Sequence, residues 1–371
     1  MKKALVHDWY YVNGGAEKVI HSINNIWSDL DQFALIDFLS EKDRKYILNN
    51  KKVSTSFIQN LPTARKNHRK FLQLFPYAVE QLDLRPYELI ISSSASIAKG
   101  ILTNQNQLHI CYCHSPMRYA WDFYHEYLEE ANLTTGIKGM YAKYVLNKIR
   151  IWDVINSNRV DHFIANSKYI AGRIKKVYNR EATVIYPPVD VKEFEFSDQK
   201  QEYYFTASRM VSYKRIDLIV KSFSKLKTKK LIVAGDGPDF EKIRKIAGDN
   251  IEFVGFTSLK KLKNYLKYAK AFIFAAEEDF GIIPVEAQAC GTPVIGYGKG
   301  GLKETVIEKV TGIFFNDQSV DSLINAVEEF EKLSFDYATI RKHSLKFSKE
   351  RFEKEIKQFV EDKYQKFKKQ P

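Results

Sequence analysis

The run Ala271-Phe272-Ile273-Phe274, followed by Glu277-Glu278-Asp279-Phe280-Gly281-Ile282-Ile283-Pro284-Val285-Glu286-Ala287-Gln288-Ala289-Cys290-Gly291-Thr292-Pro293-Val294-Ile295, decides the fold. It reads as strand, acidic loop, short helix and strand. Pro284 suits the first turn of that helix and Gly291 its left-handed cap. A strand, a helix and a second strand in so short a span make a βαβ unit, so the two strands are parallel. The loop between Phe274 and Gly281 then lies at the carboxyl end of a parallel strand, the edge where such sheets bind ligands.

The same alternation runs outward in both directions. Before it come Tyr203-Tyr204-Phe205-Thr206, Leu231-Ile232-Val233-Ala234 and Ile251-Glu252-Phe253-Val254. The first half repeats the scheme with Ala4-Leu5-Val6-His7, Phe33-Ala34-Leu35-Ile36, Leu89-Ile90-Ile91-Ser92, His109-Ile110-Cys111-Tyr112, Phe163-Ile164-Ala165-Asn166 and Val184-Ile185-Tyr186. Apolar runs of this kind, separated by helical stretches, are strands buried on both faces of a parallel sheet. Two doubly wound sheets follow. At 371 residues the chain has room for two such domains. The Pro187-Pro188 pair fixes two φ angles and offers no ladder donors, which places the hinge there. The expected domains are 1–187 and 188–352. Phe352, Ile356, Phe359, Val360 and Tyr364 recur at helical spacing, and residues 353–371 form a tail that completes the first.

Lysine and arginine number 58 against 45 acids, a net charge of +13, so an anionic partner is expected. The basic residues are interspersed with acids and no recognition module is present, which argues against nucleic acid. No Gly-x-Gly-x-x-Gly opens the first helix, which argues against a dinucleotide-dependent oxidoreductase. Three cysteines, Cys111, Cys113 and Cys290, make neither a disulfide framework nor a four-ligand zinc site. Cys111 and Cys113 share one face of a strand and are expected to be packing residues. The opening Met1-Lys2-Lys3-Ala4-Leu5-Val6-His7-Asp8 meets an acid too early for a signal-peptide core, and no apolar run is long enough to span a bilayer. A cytoplasmic protein is expected.

A Glu followed seven residues later by a second Glu, Glu278 and Glu286, and then by Gly291-Thr292-Pro293-Val294-Ile295, resembles the signature of the family 4 retaining glycosyltransferases of the GT-B fold. Ser208-Arg209-Met210-Val211-Ser212-Tyr213-Lys214-Arg215 is similar to that family's strand-end Arg and Lys pair, with Ser208 where Gly is often found. Ala234-Gly235-Asp236-Gly237-Pro238 resembles its glycine turn, Val254-Gly255-Phe256 its base-pocket strand and Gly300-Gly301-Leu302-Lys303-Glu304 the turn after the next strand. Asn13-Gly14-Gly15-Ala16-Glu17 and His114-Ser115-Pro116 resemble its phosphate-facing loop and active-site histidine. The stretch Cys113 to Trp121 is most similar to the bacterial O-antigen and lipopolysaccharide mannosyltransferase branch.

The resemblance implies a donor site for a nucleotide sugar, GDP-mannose before a UDP-sugar, built from Gly14, Gly15, Arg209, Lys214, Phe256, Phe280, Gly281, Ile282, Ile283 and Glu286. Glu286 would hold the ribose hydroxyls and Glu278 those of the transferred sugar, with His114 near the reacting carbon; His114 and Glu278 are the catalytic pair. Negative charge grows on a departing diphosphate, so cations such as Arg209 and Lys214 aimed there favour the transition state over the ground state. With backbone amides added, no metal and no cofactor are required. A GT-B epimerase or phosphorylase is the alternative on the same architecture.

Arg118, Tyr119 and Trp121 are candidates for the acceptor, a glycan or lipid-linked oligosaccharide. Trp121, Phe123, Tyr124 and Tyr127 suit either sugar stacking or the core. Arg65, Lys66, Arg69 and Lys70 precede the apolar cluster at Phe71, as in a helix lying in a lipid interface. Lys66, Arg69, Lys70 and Phe71 are therefore candidate contacts with the inner membrane face, the alternative being an ordinary amphipathic helix.

Overall fold

The structure, a computed structural model, describes residues 2–369. The chain divides into two compact units, one running to Tyr186 and resumed at Phe352, the other Pro187–Arg351.

The first unit is built on a seven-stranded parallel sheet of β1 (Lys3–His7), β2 (Asp31–Ala34), β3 (Val53–Thr55), β4 (Leu89–Ser94), β5 (Leu108–Cys113), β6 (His162–Ala165) and β7 (Ala182–Val184). Its spatial order is β3-β2-β1-β4-β5-β6-β7. Every residue of β1, β4 and β5 is buried, as strands covered on both faces must be. Helices α1 (Gly15–Ile26), α2 (Gly136–Ser157) and α3 (Lys168–Tyr178) belong to this unit. One face of the sheet gathers Val6, Ile90, Phe75 and Ile149, and the other Leu5, Ile20, Ile91 and Tyr112. Cys111 and Cys113 lie in a smaller apolar cluster with Phe163 and Ile174.

The second unit holds a six-stranded parallel sheet of β8 (Tyr203–Ala207), β9 (Lys230–Ala234), β10 (Ile251–Gly255), β11 (Ala271–Phe274), β12 (Val294–Tyr297) and β13 (Gly312–Phe315) in the order β10-β9-β8-β11-β12-β13. Helix α4 (Ile216–Lys225) follows β8, and α5 (Ile282–Ala289) connects β11 to β12. The last helix, α6 (Lys349–Phe367), sends Phe352, Ile356 and Val360 into the core of the first unit.

Both sheets reverse their winding once, between β1 and β4 in the first and between β8 and β11 in the second. At such a point the loops after the two strands leave in opposite directions and open a crevice at the carboxyl edge. The residues that end β1, β4, β8 and β11 are therefore the ones placed to meet a ligand.

The segment expected to form one basic amphipathic helix differs from that expectation. Ala64–Asn67 is a single turn, His68–Leu74 is a 3-10 stretch with a non-helical break at Phe71, and a new helix starts at Phe75. The core causes the break. His68 is buried beside Trp9 and Phe75, and Phe71, Leu72 and Leu74 pack against the core cluster. Lys66, Arg69 and Lys70 are exposed, but Phe71, named with them as a lipid contact, is turned to the protein.

Candidate active site

In the second unit the acidic loop is held from behind by a glycine turn. Gly301 donates its N–H to the Glu278 carbonyl at 2.8 Å, and a side chain at Gly300 would run into that same carbonyl. Gly300 has φ +66, so it is a glycine both by conformation and by space. Gly281 caps α5 with φ +83, and this left-handed turn swings the chain from the loop into the helix. The first N–H groups of α5 have no partners within the helix, and together with the helix dipole they favour an anion. Phe280 is buried edge-on against Phe347, while Ile282 and Ile283 are half-buried.

Across the switch point, Ser208 and Arg209 follow directly on the end of β8 at Ala207, and Arg209 is exposed. Lys214 sits in the short turn Ser212–Lys214, and its ammonium forms an ion pair with the Glu278 carboxylate. Both side chains are about one-fifth exposed (20% and 18%), so the pair is only partly screened by solvent. Two residues 64 apart in sequence, picked out separately from the sequence, are thus in direct contact. Glu286, on the fifth position of α5, is buried at 6% exposure. Phe256 follows β10 with its ring 88% exposed, an uncovered aromatic face on the sheet edge that carries the Gly235 turn.

In the first unit the switch point is organised by residues that the sequence did not single out. Asp8, buried at the end of β1, accepts the N–H groups of Ala95 (2.6 Å), Ile97 (2.7 Å) and Ala98 (2.7 Å), tying the loop after β4 to β1. His7 and Glu17 form a second tie. Glu17 accepts the Gly14 N–H at 3.0 Å, the reciprocal half of a capping box, and its other oxygen lies 3.5 Å from His7 Nε2. His7 Nδ1 faces the Ser93 carbonyl at 3.1 Å and the Ser93 hydroxyl at 3.2 Å, and that hydroxyl is 2.7 Å from His114 Nε2.

These distances fix the protons. A carbonyl only accepts, so His7 Nδ1 carries hydrogen. Its Nε2 faces a carboxylate and also favours hydrogen. Burial alone would depress His7, but the hydrogen bond and charge of Glu17, with Asp8 and the Ser93 carbonyl, outweigh it and raise the imidazole above its ordinary value. The charged form of His7 is thereby favoured beside Glu17. The neighbouring His114 behaves oppositely: burial, and then the positive His7, push it down to about 3. It stays neutral and takes the Ser93 O–H on Nε2, which leaves the proton on Nδ1. His114 is thus a hydrogen-bond donor at neutral pH and a poor proton acceptor. Its backbone is clamped by its own N–H to Ser94 (2.8 Å) and by Asn166, which donates to its carbonyl at 3.0 Å.

Of the residues considered for the acceptor, Trp121 and Tyr119 are largely packing residues. The Trp121 indole donates at 2.8 Å to Asp153, a fully buried carboxylate that also takes the Tyr178 hydroxyl at 2.9 Å and pairs with buried Lys99. The Tyr119 hydroxyl is 2.7 Å from that of Ser96, and both rings lie against the core. Arg118 stacks over Phe123 at 5.3 Å. One signal pointed to the missed residues: Ser92-Ser93-Ser94-Ala95-Ser96 closes a parallel strand, where small hydroxyl side chains have no packing value and suit a ligand edge.

Two Rossmann-like units, each with polar side chains gathered at its switch point, and one with a cation–carboxylate pair beside a helix N-terminus, define a ligand-handling α/β protein of two-sheet type. Residues 14–193 match the family model described as Glycosyltransferase Family 4, and residues 190–350 that described as Glycosyl transferases group 1. Together the models account for residues 14–350, and the chain belongs to the family 4 glycosyltransferases of GT-B fold.

Relatives include an uncharacterized glycosyltransferase of Methanocaldococcus jannaschii, 26% identical over 58% of this chain and 60% of its own length. A GDP-mannose-dependent alpha-(1-6)-phosphatidylinositol monomannoside mannosyltransferase of Mycobacterium tuberculosis is 31% identical over 33% of this chain and 36% of its own. The matches thus span from about a third to three-fifths of these curated relatives. Among solved structures, Anabaena HepE in complex with UDP and glucose superimposes with a TM-score of 0.70 at 16% identity, covering 97% of this chain and 100% of that one. The apo form of the lipopolysaccharide outer core galactosyltransferase WaaB does so with a TM-score of 0.68 at 17% identity, covering 98% and 100%.

Proposed function

We propose that the protein transfers a hexose, with retention, from a nucleotide diphosphate sugar to a lipid-linked surface glycan at the inner face of a membrane, and that the donor is GDP-mannose. The observation that carries this reading is the Lys214–Glu278 pair beside the start of α5. A cation and a carboxylate that neutralise one another are matched to a ligand that is anionic at one end and rich in hydroxyls at the other. On binding, Lys214 turns to the diphosphate with Arg209 and the α5 amides, and the freed Glu278 accepts the sugar hydroxyls. Glu286 takes the ribose hydroxyls, and the exposed Phe256 ring offers a stacking face for the base. The mycobacterial relative, named for GDP-mannose, supports the choice of donor.

In this reading the bond between the anomeric carbon and the diphosphate oxygen breaks while an acceptor hydroxyl oxygen joins that carbon, its proton leaving toward the departing diphosphate. Arg209, Lys214 and the amides stabilise the charge that develops, so no metal ion is needed. The role we give His114 is donation from Nδ1 to the transferred sugar. A thermal-shift panel of GDP, UDP and ADP tests the reading, with GDP expected to raise Tm most. Incubation with radiolabelled GDP-mannose or UDP-sugars, with and without membranes and with EDTA present, then reads transfer. If no diphosphate stabilises the protein, the proposal fails. If UDP is the stabiliser, the donor is reassigned.

A further inference from the structure

Helix α2 carries a face that the fold leaves uncovered. Ile137, Met140, Tyr141, Tyr144, Ile151 and Ile155 are 82%, 65%, 54%, 60%, 49% and 56% exposed, against a buried opposite side of Gly139, Leu146, Ile149, Asp153 and Asn156. Their spacings of three, four and seven place them on one stripe along a helix of 22 residues, about 33 Å long. Scattered exposed apolar residues are ordinary, but a contiguous stripe of this length marks an interaction surface.

The charge beside the stripe selects the occupant. Lys138, Lys143 and Lys148 are exposed, and the Lys148 ammonium lies 5.5 Å from the Tyr144 ring within the stripe itself. The helix's one carboxylate, Asp153, is buried and paired with Lys99, so the exposed face has no acid. The acids nearest before it in sequence, Glu126, Glu129 and Glu130, stand on the separate helix Tyr124–Glu130. Tyr141 donates to Gln73 and so joins this face to the segment whose exposed side carries Lys66, Arg69 and Lys70. A second copy set on the same stripe would bring lysine against lysine with no acid between them. Anionic lipid headgroups complement the cations, and the acyl boundary takes Ile and Met while tyrosines suit the wet interface. No helix among the described residues is long and apolar enough to cross a membrane, which fits a helix lying on the surface.

We infer that α2 is the element that seats this protein on an anionic membrane surface, with the 66–70 cations as an electrostatic flank that does not insert. The inference rests on the membrane half of the function proposed above and is independent of the donor chemistry. The test uses the full chain, with vesicles of phosphatidylcholine alone or with about one-third phosphatidylglycerol. Wild type is expected to sediment with the anionic vesicles and not the neutral ones. Ile137→Ser/Tyr144→Ser/Ile151→Ser should weaken partition at least tenfold, and Lys138→Gln/Lys143→Gln/Lys148→Gln about a hundredfold, at roughly fivefold per lysine near such a surface. Far-UV circular dichroism and nucleotide-induced thermal shifts should stay unchanged, because all six side chains are exposed and none belongs to the donor site. Absence of wild-type binding to anionic vesicles, or equal binding by the variants, overturns the inference without touching the donor site. A wild-type dimer that the serine variant dissolves would also overturn it, by giving the face to a second copy.

Discussion

Breaking the pair formed by His7 and Glu17 should expose how the first unit's switch point is held. Their side chains are 4% and 7% exposed and 3.5 Å apart, and removing one partner of so buried a pair strands the other's charge, at a cost of about 3 to 5 kcal/mol. For a unit of this size 1 kcal/mol is ~2–4 °C in Tm, so His7→Gln should lower Tm by roughly 6–20 °C at pH 6.5. Glu17→Gln keeps an oxygen for the Gly14 N–H and should cost less. The double variant should recover about 2 kcal/mol relative to the sum of the singles, the coupling expected of groups in contact. The pH dependence has a definite sign. His7 is raised by folding, so its contribution is fully present below its unfolded value near 6.5 and is lost as pH rises through the folded value. The gap in Tm between wild type and His7→Gln should therefore narrow toward alkaline pH. Thermal unfolding of the four proteins from pH 6 to 9, followed by near-UV circular dichroism, measures all of this. Additive single effects, or a gap that widens with pH, would refute the charged-pair reasoning.

Glu278→Ala should abolish sugar transfer and leave the fold intact, because the carboxylate is partly exposed and the variant removes a single ion pair near the surface; a fully active variant would show the sugar site to be elsewhere. Arg209→Ala should weaken nucleotide diphosphate binding about ten- to a hundredfold, the worth of one charged hydrogen bond, and calorimetry with GDP reads it. His109 is wholly buried between the Ser92 hydroxyl and the Arg159 carbonyl, and burial pushes it down to about 4. Its folded value is depressed, so it costs stability as pH falls below the unfolded value, at about 1.4 kcal/mol per pH unit down to the folded value. His109→Gln should flatten the acid slope of Tm between pH 6.5 and 4.5, and an unaltered slope would count against the burial argument.

The sheets were legible because parallel strands buried on both faces print as unbroken apolar runs, as at Leu89–Ile91 and Ala271–Phe274. The short β3 (Val53–Thr55) and β13 (Gly312–Phe315) were not among the runs read: β3 is a half-exposed edge strand, and β13 begins with glycine and ends its side of the sheet. The residues of the proposed donor site were readable as motifs because local chain order sets them, with Glu278, Gly281 and Glu286 all on one loop and helix. The contact of Lys214 with Glu278 was not, since it depends on how β8 and β11 come to be neighbours. The His7–Ser93–His114 line was hidden for the same reason, being assembled from three strands that only the sheet order brings together. Residues 65–75 were ambiguous because cations followed by apolar residues describe a lipid-facing helix and a core-facing turn equally well.

The ion pair between Lys214 and Glu278 has a bearing on selectivity. Any anion drawn to the lysine must compete with an intramolecular carboxylate, and a bare phosphate or diphosphate that wins leaves Glu278 without its counter-charge. A molecule bearing both the phosphates and a sugar compensates both ends at once. On the function proposed above, this internal neutralisation disfavours spent nucleotide relative to the loaded donor, which eases release after the sugar has gone.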